Sequence, residues 1–240
     1  MLAASLEDAW LVAMNIAARA GGDPGYPGLQ GPAEPPPTQR PRAVAVLQTS
    51  GWEIAAPEAR RVFEVAAARL AEAGIVLVDR YADPAIDEVE TAISAAAELT
   101  RAINAWEGRW PLNTYRNRDA SKLSGSALER LAMAEAMTLA DYGAAIARRQ
   151  RNRETHARLA AGYDAAITLA APGAAPVGLG STGNPIFNVP ASMLGIPAVS
   201  LPLLSADGLP LGLQVAGFAG EDARLFAIAA TVRDLLAASR

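Results

Sequence analysis

The 240-residue chain is slightly acidic, with 21 basic and 25 acidic side chains, one histidine and a net charge of -4. It lacks the excess of basic side chains that would bind nucleic acid or an anionic membrane, so we expect neither as a partner. No cysteine is present, which excludes disulfides, thiolate catalysis and zinc–thiolate sites and fits a cytoplasmic location.

The first forty residues predict a helix followed by a long loop. Ser5 is placed to cap the helix with Asp8 three positions later, and apolar residues then recur at helical spacing. Gly21 would end this helix, and the Pro- and Gly-rich residues 21–41 indicate a connecting loop. The acidic start is not typical of a signal peptide, and no apolar stretch is long enough to span a bilayer.

The next elements alternate between strand and helix. Residues 43–47 and 75–78 are short apolar strands, and residues 57–73 between them have a helical pattern closed by Gly74. This order predicts a βαβ unit, with parallel strands and a right-handed crossover.

The middle of the chain is dominated by helical patterns. We predict a helix over 84–107, a loop over 108–122 and a long helical stretch over about 126–161, before a third strand at 165–170. The basic run RRQRNRETHARL within that stretch favours a solvated helix face.

The C-terminal part indicates a hairpin and a final helix. Asp207-Gly208 stands between two apolar runs, and both residues tolerate the positive φ of a tight turn. Leu225, Ile228 and Val232 then recur at helical spacing. These elements together predict an α/β fold with a mixed sheet flanked by helices.

The only histidine is a weak catalytic candidate. His156 lies between Arg153 and Arg158, with Glu154 as the only nearby carboxylate that could orient it in a Ser-His-Asp triad. We therefore expect an exposed, non-catalytic histidine. With one histidine, no cysteine and no carboxylate cluster, we expect no metal site.

Residues 178–183 match the dinucleotide-binding pattern G-x-G-x-x-G literally. That pattern needs a helix directly after the turn, whereas Asn184-Pro185 and an extended apolar segment follow. A glycine-rich loop with backbone amides along a cleft fits better, and no cofactor is expected.

Two serines in FNVPASMLGIPAVSLP, residues 187–202, are candidate nucleophiles. Ser192 falls in a short helical turn ended by Gly195, and Ser200 falls inside a strand. Neither stands in a G-x-S-x-G elbow or has a basic partner nearby, since Lys122 is the only lysine and is remote. A packing role is favoured for both.

The segments TGNPIFNVPASMLGIPAVSLP (182–202) and DGLPLGLQVAGFAGEDARLFAIA (207–229) resemble the C-terminal part of the amidase signature family. The shared elements are Phe187-Asn188-Val189-Pro190, Gly195-Ile196-Pro197-Ala198, Ser200-Leu201-Pro202 and the hairpin from Gly208 to Gln214, followed by Gly217 and Asp222. The chain departs from the family at Leu203-Leu204, where Pro-x-Gly is common. Residues 165–240 carry the strongest likeness.

The likeness extends weakly to the N-terminus, where LAASLEDAWLVA is similar to the family's Ala-Arg-Ser-x-x-Asp helix, with Ala4 in place of arginine. Family members hydrolyse amides with a serine nucleophile, a second serine and a lysine, all upstream of that helix. No Ser-Gly-Gly-Ser or Gly-Gly-Ser-Ser run occurs in this sequence. The resemblance therefore implies an incomplete amidase-like domain over 1–240, truncated, split or repurposed, with no catalytic residue of its own.

The resemblance also implies where a substrate would lie. In the family, the loop before the Phe-Asn-x-Pro element lines part of the cleft, and the region matching 106–116 shapes the pocket. The implied substrate-binding residues are Gly180, Ser181, Thr182, Gly183, Asn184, Phe187 and Trp110. A packing role is equally open for Trp106, Trp110 and Tyr115.

The function implied is that of the C-terminal part of an amidase-type hydrolase of carboxamide C–N bonds. The chain would contribute cleft structure, act on a small-molecule amide once completed by the missing half, and be inactive alone. Because half of a sheet exposes strand edges, a protein partner or a homo-oligomer stays open. The alternative is a non-catalytic α/β binding or partner subunit.

Overall fold

The computed structural model describes residues 2–22 and 28–238, and within these ranges it contains five strands and eight α-helices. The strands are β1 (Ala43–Val46), β2 (Val76–Val78), β3 (Ala165–Leu169), β4 (Ala198–Ala206) and β5 (Leu209–Ala216). The helices are α1 (Leu6–Ala20), α2 (Pro57–Glu72), α3 (Pro84–Ile93), α4 (Ala96–Asp119), α5 (Gly125–Ala136), α6 (Leu139–Ala157), α7 (Val189–Leu194) and α8 (Asp222–Ala237). Short 3₁₀ helices occupy Ser50–Ile54, Ala120–Lys122 and Arg158–Ala161.

The strands form one mixed sheet in the order β2-β1-β3-β5-β4. β1 pairs in parallel with β2 on one side and with β3 on the other, while β5 runs antiparallel to both β3 and β4. The predicted α/β class, the βαβ unit and the mixed sheet are confirmed.

The alternating side chains of the strands build a core on each face of the sheet. On one face, Val44, Ile167 and Leu213 pack with the apolar residues of α2 and α8. On the other face, Ala45 and Ala166 pack with α3, α4 and α7. Because successive strand residues point to opposite faces, short strands of small and branched residues supply both cores.

The N-terminal helix forms as predicted. The Ser5 hydroxyl accepts a hydrogen bond from the backbone N–H of Asp8, and α1 ends at Gly21, which has a φ of 69°. Trp10 anchors the helix: its indole N–H donates to the carbonyl of Pro32 at 3.0 Å, and its ring meets Phe226 of α8 edge-on. The described residues of the predicted loop, 21–22 and 28–41, contain no helix or strand, and 23–27 lie outside the described residues.

The helical middle of the chain differs from the prediction in three places. The predicted helix over 84–107 is broken at residues 94–95, and the predicted loop over 108–122 is wrong, because α4 continues through Pro111 to Asp119. Packing of α5 along α4 supports this continuation, although a proline removes one helical hydrogen bond.

The helical stretch predicted over 126–161 is also divided, into α5 and α6. Thr138 and Asp141 form a reciprocal capping box that starts α6. This signal is present in the sequence as Thr-x-x-Asp, inside the stretch that was predicted as one continuous helical pattern.

The C-terminal elements follow the sequence pattern closely. Asp207 and Gly208 have φ values of 53° and 75° and make the tight turn between β4 and β5. Gly195 ends α7 in the left-handed conformation, and Leu225, Ile228 and Val232 of α8 are buried. The predicted hairpin, short helical turn and final helix are all confirmed.

The prediction of an exposed histidine is wrong. The side chain of His156 is 2% exposed on the inner side of α6, its ring contacts Phe218, and its Nε2 has no hydrogen-bond partner. Burial lowers the pKa of His156 to about 4. The basic run around it is solvated on one side only, because every third or fourth residue of a packed helix must face the core.

A buried carboxylate ties the starts of β1, β3 and α8 together. Asp164 accepts hydrogen bonds from the backbone N–H groups of Arg42 and Ala43, at 2.7 and 3.4 Å, and pairs with the Arg224 guanidinium. Burial alone would raise the pKa of Asp164, but the backbone donors and Arg224 outweigh it and hold the pKa below its ordinary value. The carboxylate therefore stabilises the folded state as an anion.

Replacing the Asp164 carboxylate should lower the stability of the folded chain. We expect Asp164→Ala to lower the free energy of unfolding by about 2–3 kcal/mol, since it leaves two backbone donors and Arg224 without their acceptor. Asp234→Ala, which breaks the exposed pair with Arg233, is the matched control and should change stability by less than about 0.5 kcal/mol. Urea unfolding followed by circular dichroism measures both, and equal losses would contradict this role.

The buried histidine should make stability depend on pH. Its folded pKa of about 4 lies below the ordinary 6.5, so the unfolded chain takes up the proton first as pH falls. The contribution of His156 to the free energy of unfolding is therefore fully present above pH 6.5 and declines as the pH falls toward 4. At pH 5 the free energy of unfolding should be lower by about 2 kcal/mol.

The variant His156→Leu isolates this effect from the titrating carboxylates. We expect wild type and variant to differ little at pH 7.5, because Nε2 has no partner to lose. Below pH 6.5 the free energy of unfolding of the variant, measured by urea unfolding at a series of pH values, should fall less than that of wild type. Parallel stability curves between pH 5 and 8 would show that His156 is not held neutral.

Candidate functional site

Two loops meet where β1 and β3 end. The support loop, residues 47–56, follows β1, and the cleft loop, residues 170–188, follows β3. They are joined by the backbone N–H of Ala56, which donates to the carbonyl of Pro172 at 2.7 Å. Crevices outside the carboxyl ends of parallel strands are the usual ligand sites of α/β sheets, so this junction is the candidate functional site.

The predicted residues 180–184 lie together on the exposed tip of the cleft loop. The tip is shaped by its own side chains: the backbone N–H of Gly183 donates to Ser181 Oγ, and that of Ile186 donates to Asn184 Oδ1, both at 3.1 Å. Gly183 has a φ of 94°, a conformation that favours glycine. Five more residues separate Gly183 from α7, so the tip does not open a helix as a dinucleotide-binding turn would.

Phe187 does not lie on an accessible wall as the sequence implied. Its side chain is 1% exposed and packs in the core beneath the cleft loop. Its ring covers Gly51 of the support loop, where a Cβ atom would lie only 2.7 Å from the ring. Its carbonyl accepts a hydrogen bond from the buried Gln214 side chain at 2.9 Å. Phe187 therefore supports the cleft loop from the core side.

The aromatic residues of the 106–116 region divide into packed and exposed groups. Trp106 is stacked on Tyr142 and carries the Arg109 guanidinium 3.6 Å from its ring centre, so it packs α4 against α6. Trp110 is 75% exposed and Tyr115 is also exposed. Among the described residues no hydrogen bond or ring contact joins Trp110 to the cleft loop.

Neither serine of the 187–202 segment has the surroundings of a nucleophile. Ser192 lies on α7, and the Ser200 hydroxyl covers Gly212 across the β4–β5 pair, where a Cβ atom would be 2.2 Å away. His156 is buried on α6 and Lys122 lies in the 3₁₀ helix after α4. No hydrogen bond links a serine hydroxyl to either basic side chain in the part of the chain described.

A buried carboxylate beside the support loop was missed by the sequence reasoning. Glu90 is 3% exposed, and its carboxylate accepts hydrogen bonds from the backbone N–H groups of Gln48 and Thr49. Burial raises the pKa of Glu90 despite these two donors and the nearby charge of Arg80. The available signal was its position: Ile86, Val89, Glu90 and Ile93 follow the spacing of a buried helix face, on which a charged residue is rare.

The opposite end of the sheet has an open cleft of about 1010 Å³ near the start of β4. Its lining includes Arg149 and Arg153, with Glu154 and Asp222 as opposite charges. No group of three or more acidic or histidine side chains that could hold a metal ion occurs in residues 2–22 and 28–238. None of the helices described there has the length and apolar character to cross a membrane.

A family model described as Amidase matches residues 1–226. A glutamyl-tRNA(Gln) amidotransferase subunit of Methylorubrum extorquens is 40% identical over 92 residues, which are 34% of this chain and 18% of that protein. The fatty acid amide hydrolase of Medicago truncatula is 35% identical over 132 residues, which are 50% of this chain and 22% of that protein.

A crystal structure of an amidase shares the fold, with a TM-score of 0.71 at 22% identity over 85% of this chain and 47% of that chain. The chain thus spans about half the length of that structure and a smaller share of the two relatives. The recognition made from the 182–229 segments is confirmed. Since the family model extends over most of the sequence and the same mixed sheet recurs in a solved amidase, this chain belongs to the amidase family.

Proposed function

We propose that this chain is the C-terminal part of a hydrolase of carboxamide C–N bonds and that it supplies walls of the substrate cleft. The observation that carries this proposal is the meeting of the support loop and the cleft loop at the carboxyl ends of β1 and β3, in a member of the amidase family. The names of the two relatives, one an amide hydrolase and the other part of an amidotransferase, agree with amide chemistry.

The cleft loop has the groups that an amide substrate needs. A carboxamide offers one carbonyl acceptor and N–H donors, and the exposed 180–184 tip offers backbone amides together with the Thr182 hydroxyl. Val177 and Leu179 beside it are fully exposed apolar side chains. In this proposal the tip binds the amide group, and the two apolar side chains contact the acyl part of the substrate or the rest of the enzyme.

Trp110 is proposed as a second contact for the substrate. An exposed indole on a long helix has a large apolar surface available at little conformational cost. Because no hydrogen bond or ring contact among the described residues joins it to the cleft loop, it would contact a part of the substrate away from the 180–184 tip.

The proposal gives this chain no part in bond breaking. A serine nucleophile of this kind needs a histidine or lysine base within hydrogen-bond reach, and no serine hydroxyl of the described residues is bonded to His156 or Lys122. The exposed Ser121 hydroxyl donates to the Asp119 carboxylate, which also accepts the backbone N–H of Ser121 at the start of the 3₁₀ helix. The family resemblance assigns the serine pair and the lysine to a segment upstream of the α1 counterpart. Residues 1–240 would then be one partial domain, since both cores share a single sheet.

The second candidate is a binding or partner subunit without chemistry of its own. It is favoured by the strand edges: Val76 on β2 is 58% exposed, and Ala198, Ser200 and Pro202 are exposed along β4. Free edges of this kind pair with strands from another polypeptide. A partner that completes the sheet is compatible with either candidate.

The two candidate functions can be distinguished by whether the chain supports amide hydrolysis once a catalytic half is supplied. We expect the purified 240-residue chain to take up no fluorophosphonate probe and to hydrolyse none of a panel of arylamides, because no described serine hydroxyl is paired with a histidine or lysine base. Fused behind the serine- and lysine-bearing half of a structurally similar amidase, it should hydrolyse members of the panel, as measured by amine release.

Variants of the fusion then test the cleft. Thr182→Ala should raise KM by about tenfold through the loss of one hydrogen bond to the amide. Ser126→Ala, at an exposed serine of α5, is the control and should leave KM unchanged. Probe labelling of the isolated chain would overturn the assignment of chemistry to the other half. A folded fusion that hydrolyses no amide would favour the binding subunit.

A further inference from the structure

We infer that Glu90 is a positioning residue of the cleft: from α3, its carboxylate holds the support loop, and the support loop holds Phe187 and the start of the cleft loop. The inference rests on the proposed function, in which the cleft loop walls the substrate site. Nothing in it requires Glu90 to touch substrate.

The first link is the double hydrogen bond at Glu90. One carboxylate oxygen accepts from the backbone N–H of Gln48, and the other accepts from that of Thr49 at 2.8 Å. Thr49 has a φ of 57°, so the chain bends sharply immediately after the second of these N–H groups. A threonine is rarely found in this region, and the two hydrogen bonds to Glu90 fix the backbone on the entry side of the bend.

The second link runs through the bend to Gly51. The Thr49 hydroxyl accepts from the backbone N–H of Gly51 at 3.1 Å, which sets the path of the chain immediately after the bend. Gly51 then lies flat against the Phe187 ring, leaving no room for a Cβ atom. A shift of the support loop would therefore move Phe187, and Phe187 is bonded through its carbonyl to Gln214 of the sheet.

The third link is at the other end of the support loop. The N–H of Ala56 donates to the carbonyl of Pro172, and the next residue of the cleft loop, Gly173, has Ala56 against it at 3.3 Å from its Cβ position. The cleft loop is thus held near its start by Ala56 and near its end by Gly51. Both contacts belong to the one loop that Glu90 orients.

Helix α3 does not depend on Glu90 for its own place. Ile86, Val89 and Ile93 are buried in the second core, and the Asn152 side chain donates to the carbonyl of Ala92 at 2.7 Å. These contacts separate the positioning role of Glu90 from support of the helix that bears it.

Glu90→Gln tests the first link with little change in shape. An amide presents one acceptor and one donor, so one of the two backbone N–H groups loses its partner. We expect amide hydrogen exchange, followed by NMR on the 240-residue chain, to become at least tenfold faster at Gln48 and Thr49. The same acceleration should reach the remote amides of Ala56, Ile186 and Asn188.

Two references separate this effect from general destabilisation. Glu88→Gln makes the same charge change on the same helix, at an exposed carboxylate paired with Arg158, and should leave all five amides within twofold of wild type. The amide of Gly217, which is bonded to the Pro197 carbonyl at the far end of the sheet, should stay within twofold in both variants. Acceleration confined to Gln48 and Thr49, or extended equally to Gly217, would overturn the inference.

A second variant tests the contact with Phe187 independently. In Gly51→Ala the new methyl group meets the Phe187 ring, so exchange should become at least tenfold faster at Ile186 and Asn188 while Gln48 and Thr49 stay within twofold. No change at Ile186 and Asn188 would break the second link. Should Glu90→Gln not fold, Glu90→Asp, which withdraws the carboxylate by one methylene, gives the same test.

Activity of the amidase fusion provides a separate readout. Glu90→Gln should lower kcat/KM for an arylamide by at least tenfold, and Glu88→Gln should leave it within twofold. Unchanged kcat/KM in the Glu90→Gln fusion would overturn the role in the cleft. If no fusion is active, the proposed function fails while the exchange measurements still decide whether Glu90 positions the cleft loop.

Discussion

The parallel pairing of β1 with β3 is the constraint on which the rest of the molecule depends. It brings the carboxyl ends of two strands more than a hundred residues apart in sequence side by side, so the support loop and the cleft loop leave the sheet together. The same pairing aligns the strand starts, where Asp164 binds the backbone of Arg42 and Ala43. Hydrogen bonds to Asp164 therefore stabilise the end of the sheet where β1 and β3 start. At the opposite end, where the two strands finish, loops form the candidate site, as is usual in α/β folds.

Three buried polar side chains around this sheet differ in their hydrogen-bond partners and in the charge that they keep. Asp164 has backbone donors and an arginine, and it remains an anion. Glu90 has two backbone donors and no direct cationic partner among the described contacts, and it holds a strained bend. His156 has no partner at Nε2 and is kept neutral by burial. The number of partners decides the charge state each can keep in the interior.

The 187–202 segment carries part of the sequence likeness to the amidase family, and its side chains also pack in the core. Its prolines and glycine define a short helix between the cleft loop and β4, and Ser200 covers Gly212 where three strands lie close together. Phe187 supports the cleft loop from the core side. Among the residues that carry the family likeness, Phe187 and Ser200 thus have packing roles, while Gly195, Pro197 and Asp222 lie at the opposite end of the sheet.

The local elements could be predicted from the sequence, because their signals lie within a few residues of one another. The Ser5 cap, the Asp207-Gly208 turn, the βαβ unit and the final helix depend on short-range sterics and apolar periodicity. The family likeness likewise lies in one ordered C-terminal run. These features supported the fold class and the location of the cleft loop tip.

Which polar groups are buried and which helices continue depends on contacts between segments that are distant in sequence. The sequence predicted an exposed His156 and a loop at Pro111, because neither the face that α6 turns inward nor the packing of α5 on α4 is encoded locally. The link from Glu90 through Gly51 to Phe187 joins three separate segments of the chain. No pattern within one segment could predict it, since burial and long-range contact arise only when the sheet brings those segments together.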